Sequence, residues 1–272
     1  KMGGYWDLDN VRLTETMVPN NSFETPESDF AGPDLDSWQK SPAPGWYEDP
    51  TGFFPWQAVM GEFLNTPHGS SNHIDNVDGE QGVYLFALPE VAIFQDYNSI
   101  GGTNTEPDHE FNAKFEVGKS YSLTVGALGG GGGMSNEATF QISMYYRDAS
   151  SNRVTVAATT ITNTLDLFPT NTHLIDFQAS IPIVKAGDAW AGKNIGIQLA
   201  VTSGFDKMAG YWDVDNVRLV ESIVPNNSFE FPVSDFAGPD MDSWQKSPAP
   251  EWYEDPTGYF PWEAIMGQFL NT

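Results

Sequence analysis

The chain contains no cysteine, which removes disulfides, thiolate catalysis and cysteine-ligated zinc. Cations are scarce. Twelve Lys and Arg face 37 Asp and Glu, a formal net charge of −25 over 272 residues. A surface this acidic repels phosphate backbones and anionic lipid, so nucleic acid is not expected as a partner. Charged residues make up only 18%, too few for a disordered polyampholyte. No apolar run reaches the roughly 18 residues of a membrane helix, and no membrane span is expected. There is no initiator Met and no leader pattern, from which the expectation is a piece of a longer chain.

Catalytic signatures are missing as well. No GxSxG or HExxH pattern occurs. The four histidines, His68, His73, His109 and His173, follow no metal spacing and read as loop residues. Carboxylate pairs are plentiful, but 37 acids guarantee coincidental ones. The chain is therefore not expected to be an enzyme.

What is present is a core and many turns. Hydrophobic residues reach 40% and aromatics 14%, enough for a sizeable core. The 26 Gly and 19 Pro argue for turns and against a helical bundle.

The most informative feature is a repeat. Residues 1–66, KMGGYWDLDNVRLTETMVPNNSFE…GEFLNT, return at 207–272 as KMAGYWDVDNVRLVESIVPNNSFE…GQFLNT, without a gap and with a period of 206 residues. Roughly 80% of the positions are identical, and most changes are mild, such as Leu8/Val214, Met17/Ile223 and Phe53/Tyr259. A period this long suits a whole domain rather than a solenoid turn. The reading is one full module with parts of its neighbours: residues 1–16 as the closing strand of a preceding repeat, 17–222 as a complete module, and 223–272 as the opening of the next. A simple two-copy duplication and a longer array both fit. Only two or three residues separate the closing strand from the next opening, too few for a flexible linker.

Alternating apolar residues mark strands at 82–88, 91–95, 120–127, 138–147, 153–162, 173–183, 194–202 and 211–219, with 148–152 as a hairpin loop. The only helix candidate is 56–64, WQAVMGEFL. The glycine run at 129–133 lacks the Lys-Ser/Thr ending of a phosphate loop and reads as a floppy hairpin tip. The expected fold is all-β, an antiparallel jelly-roll β-sandwich in tandem array.

The order VPNNSFETP (18–26), SPAPGWY (41–47), DGEQGVYLF (78–86), IFQDY (93–97), FEVGKSYSLTV (115–125) and YWDVDNVRL (211–219) resembles the galactose-binding-like jelly rolls of bacterial extracellular proteins. These include carbohydrate-binding modules and PEP-CTERM-associated domains. The resemblance implies an extracellular or cell-surface location in a bacterium. It is specific for fold and unspecific for function, since such folds serve glycan binding, adhesion, scaffolding and, in a few cyanobacterial cyclases, chemistry. It also implies a structural calcium tying the first strand to the last. By motif position its carboxylates are Glu24 and Asp215, with Asp213 on the same strand face. Asp9 and Glu230 hold the matching positions in the neighbouring partial repeats.

Two functions remain open at this point. One is a structural repeat unit of an extracellular fibre, sheath or long adhesin, polymerising head to tail with copies of itself or simply linked in tandem. The other is a calcium-dependent glycan-binding module repeated for avidity, with polysaccharide as partner. The aromatics Trp38, Trp46, Tyr47 and Trp56, and their duplicates Trp244, Trp252 and Trp262, sit among prolines. They read as core, as a module–module contact or as a sugar platform, with packing favoured over a ligand site because aromatics next to prolines more often pack.

Overall fold

The computed structural model describes residues 16–28, 31–49, 52, 54–101, 105–226, 232, 237–238, 241–255, 258 and 261–269. In chain order the strands are β1 (Ala31–Gly32), β2 (Gln39–Lys40), β3 (Met60–Leu64), β4 (Gln81–Phe86), β5 (Ala92–Gln95), β6 (Ser120–Gly131) and β7 (Thr139–Arg147). They continue with β8 (Arg153–Thr162), β9 (Ile175–Ile181), β10 (Gly196–Val201), β11 (Tyr211–Ser222), β12 (Ala237–Gly238) and β13 (Gln268–Phe269). A six-stranded sheet runs β1-β3-β4-β11-β6-β9 and a five-stranded sheet β2-β5-β10-β7-β8. All pairings within them are antiparallel, which gives the jelly-roll sandwich.

The period of two puts one set of side chains between the sheets. Tyr121, Leu123, Val125 and Ala127 of β6 are buried, as are Phe140, Ile142 and Met144 of β7, and Ile197 and Leu199 of β10. Trp212 of β11 is the centrepiece. It stacks on Phe140 at 5.4 Å and meets Phe168 edge-on at 5.9 Å.

The last strand lies in the middle of its sheet, between β4 and β6. Its register against β6 slips by one residue between Asp215 and Arg218, where Asn216 adopts a left-handed φ of 57°. That bulge lets Val214 and Val217, three apart, both face the core. It also turns the Val217 N–H out of the ladder toward the Asn21 carbonyl at 2.8 Å. The segment around Asn21 is thus fastened to the central strand of the larger sheet. Further ties run from Met17 N to Leu219 O, 3.4 Å, from Gln81 Nε2 to Phe23 O, 2.9 Å, and from Gln95 Nε2 to Pro19 O, 2.9 Å.

Two expectations are corrected. Residues 56–64 are not a helix. Trp56–Ala58 makes a single 3-10 turn, and Met60–Leu64 pairs with β4 over five residues. A free strand edge on β4 satisfies more backbone groups than a short isolated helix does. The glycine run is not a floppy tip either. Gly129 to Gly131 belong to β6, and the run is small because rings lie on it. A Cβ at Gly131 would stand 2.4 Å from the Tyr211 ring, and one at Gly129 would stand 2.9 Å from Phe168. The closing strand expected at 1–16 lies outside the described residues except for Thr16, whose Oγ1 accepts from Leu219 N at 3.4 Å.

Trp212→Ala opens a cavity between the two sheets. It is expected to lower the unfolding free energy by about 3–5 kcal/mol, read from the midpoint shift of a urea titration at unchanged slope.

Candidate functional site

The alternation that fills the core also decorates the outer face of the six-stranded sheet. Tyr211 and Asp213 on β11 point away from Trp212 and Val214. They stand directly opposite Phe86 and Tyr84 on β4, close enough for side-chain contact. Phe86 is the hub of an aromatic strip. Its ring lies 6.1 Å from Phe54, 5.7 Å from Tyr84 and 6.3 Å from Tyr211, the last pair stacked at 30°. Tyr84, Phe86 and Tyr211 are half-buried and Phe54 is exposed. Each ring is fixed by the chain beneath it. Tyr84 donates to Ala58 O at 3.1 Å, Tyr211 rests on Gly131 and Gly132, and Phe54 N donates to Asp49 Oδ2 at 2.7 Å.

Asp213 sits beside this strip and is almost wholly buried. Burial alone pushes its carboxyl up to about 8. It is therefore largely protonated at neutral pH and carries an O–H as well as acceptor oxygens. Burial, with Asp213 next in weight, also raises the Tyr211 phenol. Loops roof the far end of the face. Asn76 exchanges two hydrogen bonds with Leu174, at 2.9 and 3.0 Å, and Asn65 does the same with Ile74, at 2.8 and 3.0 Å.

Beneath that roof lies the second cluster. Asp215 Oδ2 accepts from Asp78 N at 2.6 Å, while its Oδ1 is buried with no hydrogen-bond partner. Its carboxyl is pushed up to about 8, by burial first and then by the charges of Asp78 and Glu24. Glu24 Oε1 accepts from Glu80 N and Gln81 N, at 3.0 and 2.9 Å. The carboxylate packs so tightly under Gly79 that a Cβ there would fall 2.4 Å from it, and that glycine holds φ +100°. A buried oxygen without a donor, amid hard oxygens from strands far apart in sequence, fits a divalent cation of the calcium type.

Of the residues singled out from sequence, Glu24 and Asp215 come together, joined by Asp78, while Asp213 stands apart among aromatics. Asp9 and Glu230 lie outside the described residues. Among the described residues no group of three or more His, Cys, Asp or Glu is spaced to hold a metal by itself, so a cation here needs carbonyl oxygens too.

The Trp-rich segment divides. Trp38 and Trp56 are buried core residues and cannot serve as an exposed platform. Trp46 and Tyr47 pack half-buried against them. The rings that do face out, Tyr84, Phe86 and Tyr211, escaped the sequence reading. The alternation of GVYLFAL against YWDVDNV carried the signal, but only the register says which rings meet. A polar cleft of about 290 Å³ on the other sheet is lined by Asp96, Tyr145 and Arg147. These groups are spent on one another: Asp96 Oδ2 accepts from Tyr145 at 2.6 Å and from Arg147 at 2.8 Å.

No family model and no curated protein matches the chain. Solved structures do. A Stig cyclase, Fisc, from Fischerella sp. TAU is 20% identical with a TM-score of 0.51, covering 76% of this chain and 96% of its own. A second Fischerella sp. TAU cyclase structure gives 19%, 0.50, 75% and 95%. A xylan-binding domain from Paenibacillus barcinonensis gives 12%, 0.34, 67% and 84%. At these identities the likeness to the two cyclase structures, with TM-scores of 0.51 and 0.50, bears on the fold alone. Among the described residues no helix is long and apolar enough to cross a membrane.

The buried acids set a pH dependence. Asp213 and Asp215 bind protons more tightly folded (about 8) than in an unfolded chain (about 4). Without metal, stability is therefore highest below pH 4 on this account and falls as pH rises toward 8. The slope is about 1.4 kcal/mol per pH unit for each group. Glu62, also pushed up to about 8 by burial first, adds a third such group, so in chelator Asp213→Asn is expected to lower the slope by about a third, measured by denaturant titration at several pH values.

Proposed function

We propose that the chain is a glycan-binding module of the galactose-binding-like kind, repeated along an extracellular bacterial protein. It binds through the outer face of its six-stranded sheet. The observation that carries this reading is the strip Phe54–Phe86–Tyr84–Tyr211 beside the buried Asp213. A pyranose ring offers C–H faces that stack on aromatic rings, and hydroxyls that both donate and accept. The strip supplies the first kind of contact. Asp213, with an O–H and free lone pairs, supplies the second. The reading is of binding rather than turnover.

Calcium belongs to the same reading as a brace. Glu24 and Asp215 would hold it together with backbone carbonyl oxygens, and when bound it would supply positive charge that keeps Asp215 ionised and ties the first segment to the last strand. Millimolar calcium is expected to raise the melting temperature of the chelated chain, and Asp215→Asn to abolish that rise. An identical melting curve with and without EDTA removes the brace.

A second reading, the structural repeat unit of a fibre, sheath or long adhesin, draws on the duplicated opening segment. Among the described residues both copies make the same indole-to-carbonyl hydrogen bonds and the same ring triad. Electron microscopy of the native material tests it, with regular spacing of the modules as the expected image.

The ligand reading is checked by polysaccharide pull-down in millimolar calcium. Saturable binding is expected, weakened about tenfold or more by Tyr84→Ala or Phe54→Ala. An indole compound is the comparison arm, because the similar Fischerella cyclase was solved in complex with (3Z)-3-(1-methyl-2-pyrrolidinylidene)-3H-indole. No binding to any glycan, or full binding by both variants, overturns the sugar reading.

A further inference from the structure

The opening segment is present twice, and the two copies build one scaffold. Trp56 Nε1 donates to Ser41 O at 2.7 Å, and Trp262 Nε1 donates to Ser247 O at 2.7 Å. Trp38 Nε1 reaches the Asn20 carbonyl at 3.1 Å, and Trp244 Nε1 the Asn226 carbonyl at 3.0 Å. Trp46, Tyr47 and Trp56 meet edge-on with centroids 5.9, 6.2 and 4.9 Å apart. For Trp252, Tyr253 and Trp262 the values are 6.1, 6.4 and 4.9 Å. The pairs Ala31↔Phe63 and Gly32↔Glu62 return as Ala237↔Phe269 and Gly238↔Gln268.

What differs is the cover. Over the first scaffold lies the body of the sandwich. Glu90 Oε1 accepts from Trp46 Nε1 at 2.9 Å, and Phe205 meets the same indole edge-on at 5.1 Å. Ser41 Oγ donates to Glu90 O at 2.8 Å and accepts from Ala92 N at 3.1 Å. Residues 39–40 pair with β5. Trp38 is consequently 1% exposed. On the second scaffold Ser247 is exposed, Trp244 is 41% exposed and Trp252 is 77% exposed. The neighbouring strand shrinks too, from five residues in β3 to two in β13, as expected where no β4 lies alongside. Large exposed indoles whose hydrogen bonds and ring contacts are already in place mark a contact surface.

We propose that this second scaffold is a docking surface for the body of another copy of this module, the equivalent of residues 67–222. That body would seat its Glu90 carboxylate and Phe205 ring on the Trp252 indole, and lay its β5 edge along residues 245–246. The occupant follows from identity of shape. The surface repeats the indoles, the ring triad and most of the side chains of one that this body already covers in the same molecule, with Glu251 in place of Gly45 beside the joint. Where the copies differ, Leu35/Met241 and Val59/Ile265 keep apolar bulk. Gln268 replaces Glu62, whose buried carboxylate has no partner in the first copy. The scaffold is also anchored to the first body, through Asn226 N to Pro182 O at 2.9 Å and Ser120 Oγ to Val224 O at 3.2 Å. The inference rests on the repeat reading given above and adds to it the residues that make the joint.

The test lengthens the full 272-residue chain by residues 67–222 after Thr272, so that a complete body follows the second scaffold. Trp252 emission is isolated by subtracting the Trp252→Phe variant. In the 272-residue chain acrylamide should quench Trp252 freely. In the lengthened chain the quenching constant is expected to fall about threefold or more, as for a buried indole. Trp252→Ala should lower the melting temperature of the lengthened chain's added module and leave the 272-residue chain's curve unchanged. Equal quenching of Trp252 in the two chains overturns the proposal, whether the added body folds elsewhere or stays unfolded. Equal quenching alongside regular modules in images of the native material would remove this joint and spare the repeat reading. Protected Trp252 without such regularity would do the reverse.

Discussion

The insertion of β11 between β4 and β6 is the constraint on which the rest depends. The strand that comes last in the module occupies the middle of the larger sheet, and its partners on either side lie far back in the chain. Until it arrives, β4 and β6 have open edges, Trp212 is missing from between the sheets, and the opening segment has no Val217 N–H to hold. Folding therefore closes a long loop before the reward of the core is collected. The bulge at Asn216 then couples the two ends of the module, because the amide it frees from the ladder is taken up by Asn21.

The same strand carries stability on one face and chemistry on the other. Trp212 and Val214 fill the core, while Tyr211, Asp213 and Asp215 between and beside them form the outer site. A one-residue slip of register would exchange these sets and destroy both at once. This explains why two carboxyls can be kept buried on a solvent-side face. Tyr84, Phe86 and Leu174 already crowd that face, and the roof loops are clamped by Asn65 and Asn76. Asp213 and Asp215, two residues apart on one strand, thereby acquire different surroundings. One lies among rings with no acidic neighbour, the other faces Asp78 and Glu24.

Much of the architecture was legible in the letters. The period-two runs of β6, β7, β10 and β11 announce strands, and Glu24 and Asp215 were found through the resemblance of their motifs. Asp78 was not, because it enters the cluster through a turn whose geometry depends on Gly79 at positive φ. The segment WQAVMGEFL illustrates the limit of periodicity. Its apolar spacing suits a helix, and the second copy does form a helical turn at Trp262–Ile265. Beside β4, however, backbone pairing prevails. The glycine run was equally ambiguous until the Tyr211 and Phe168 rings were seen to need the space.

The two copies of the opening segment separate the contributions of sequence and tertiary structure. Sequence by itself determines the local scaffold. Near-identical letters produce the same indole-to-carbonyl bonds and the same ring triad whether or not a body covers them, because those contacts lie within about twenty residues of one another. Tertiary structure alone decides burial and register. Trp38 is in the core and Trp244 is not, and Tyr84 faces Asp213 only because β4 lies beside β11. Such contacts join residues from about fifty to more than a hundred positions apart, so no local rule can place them. They exist only once the last strand has closed the sheet.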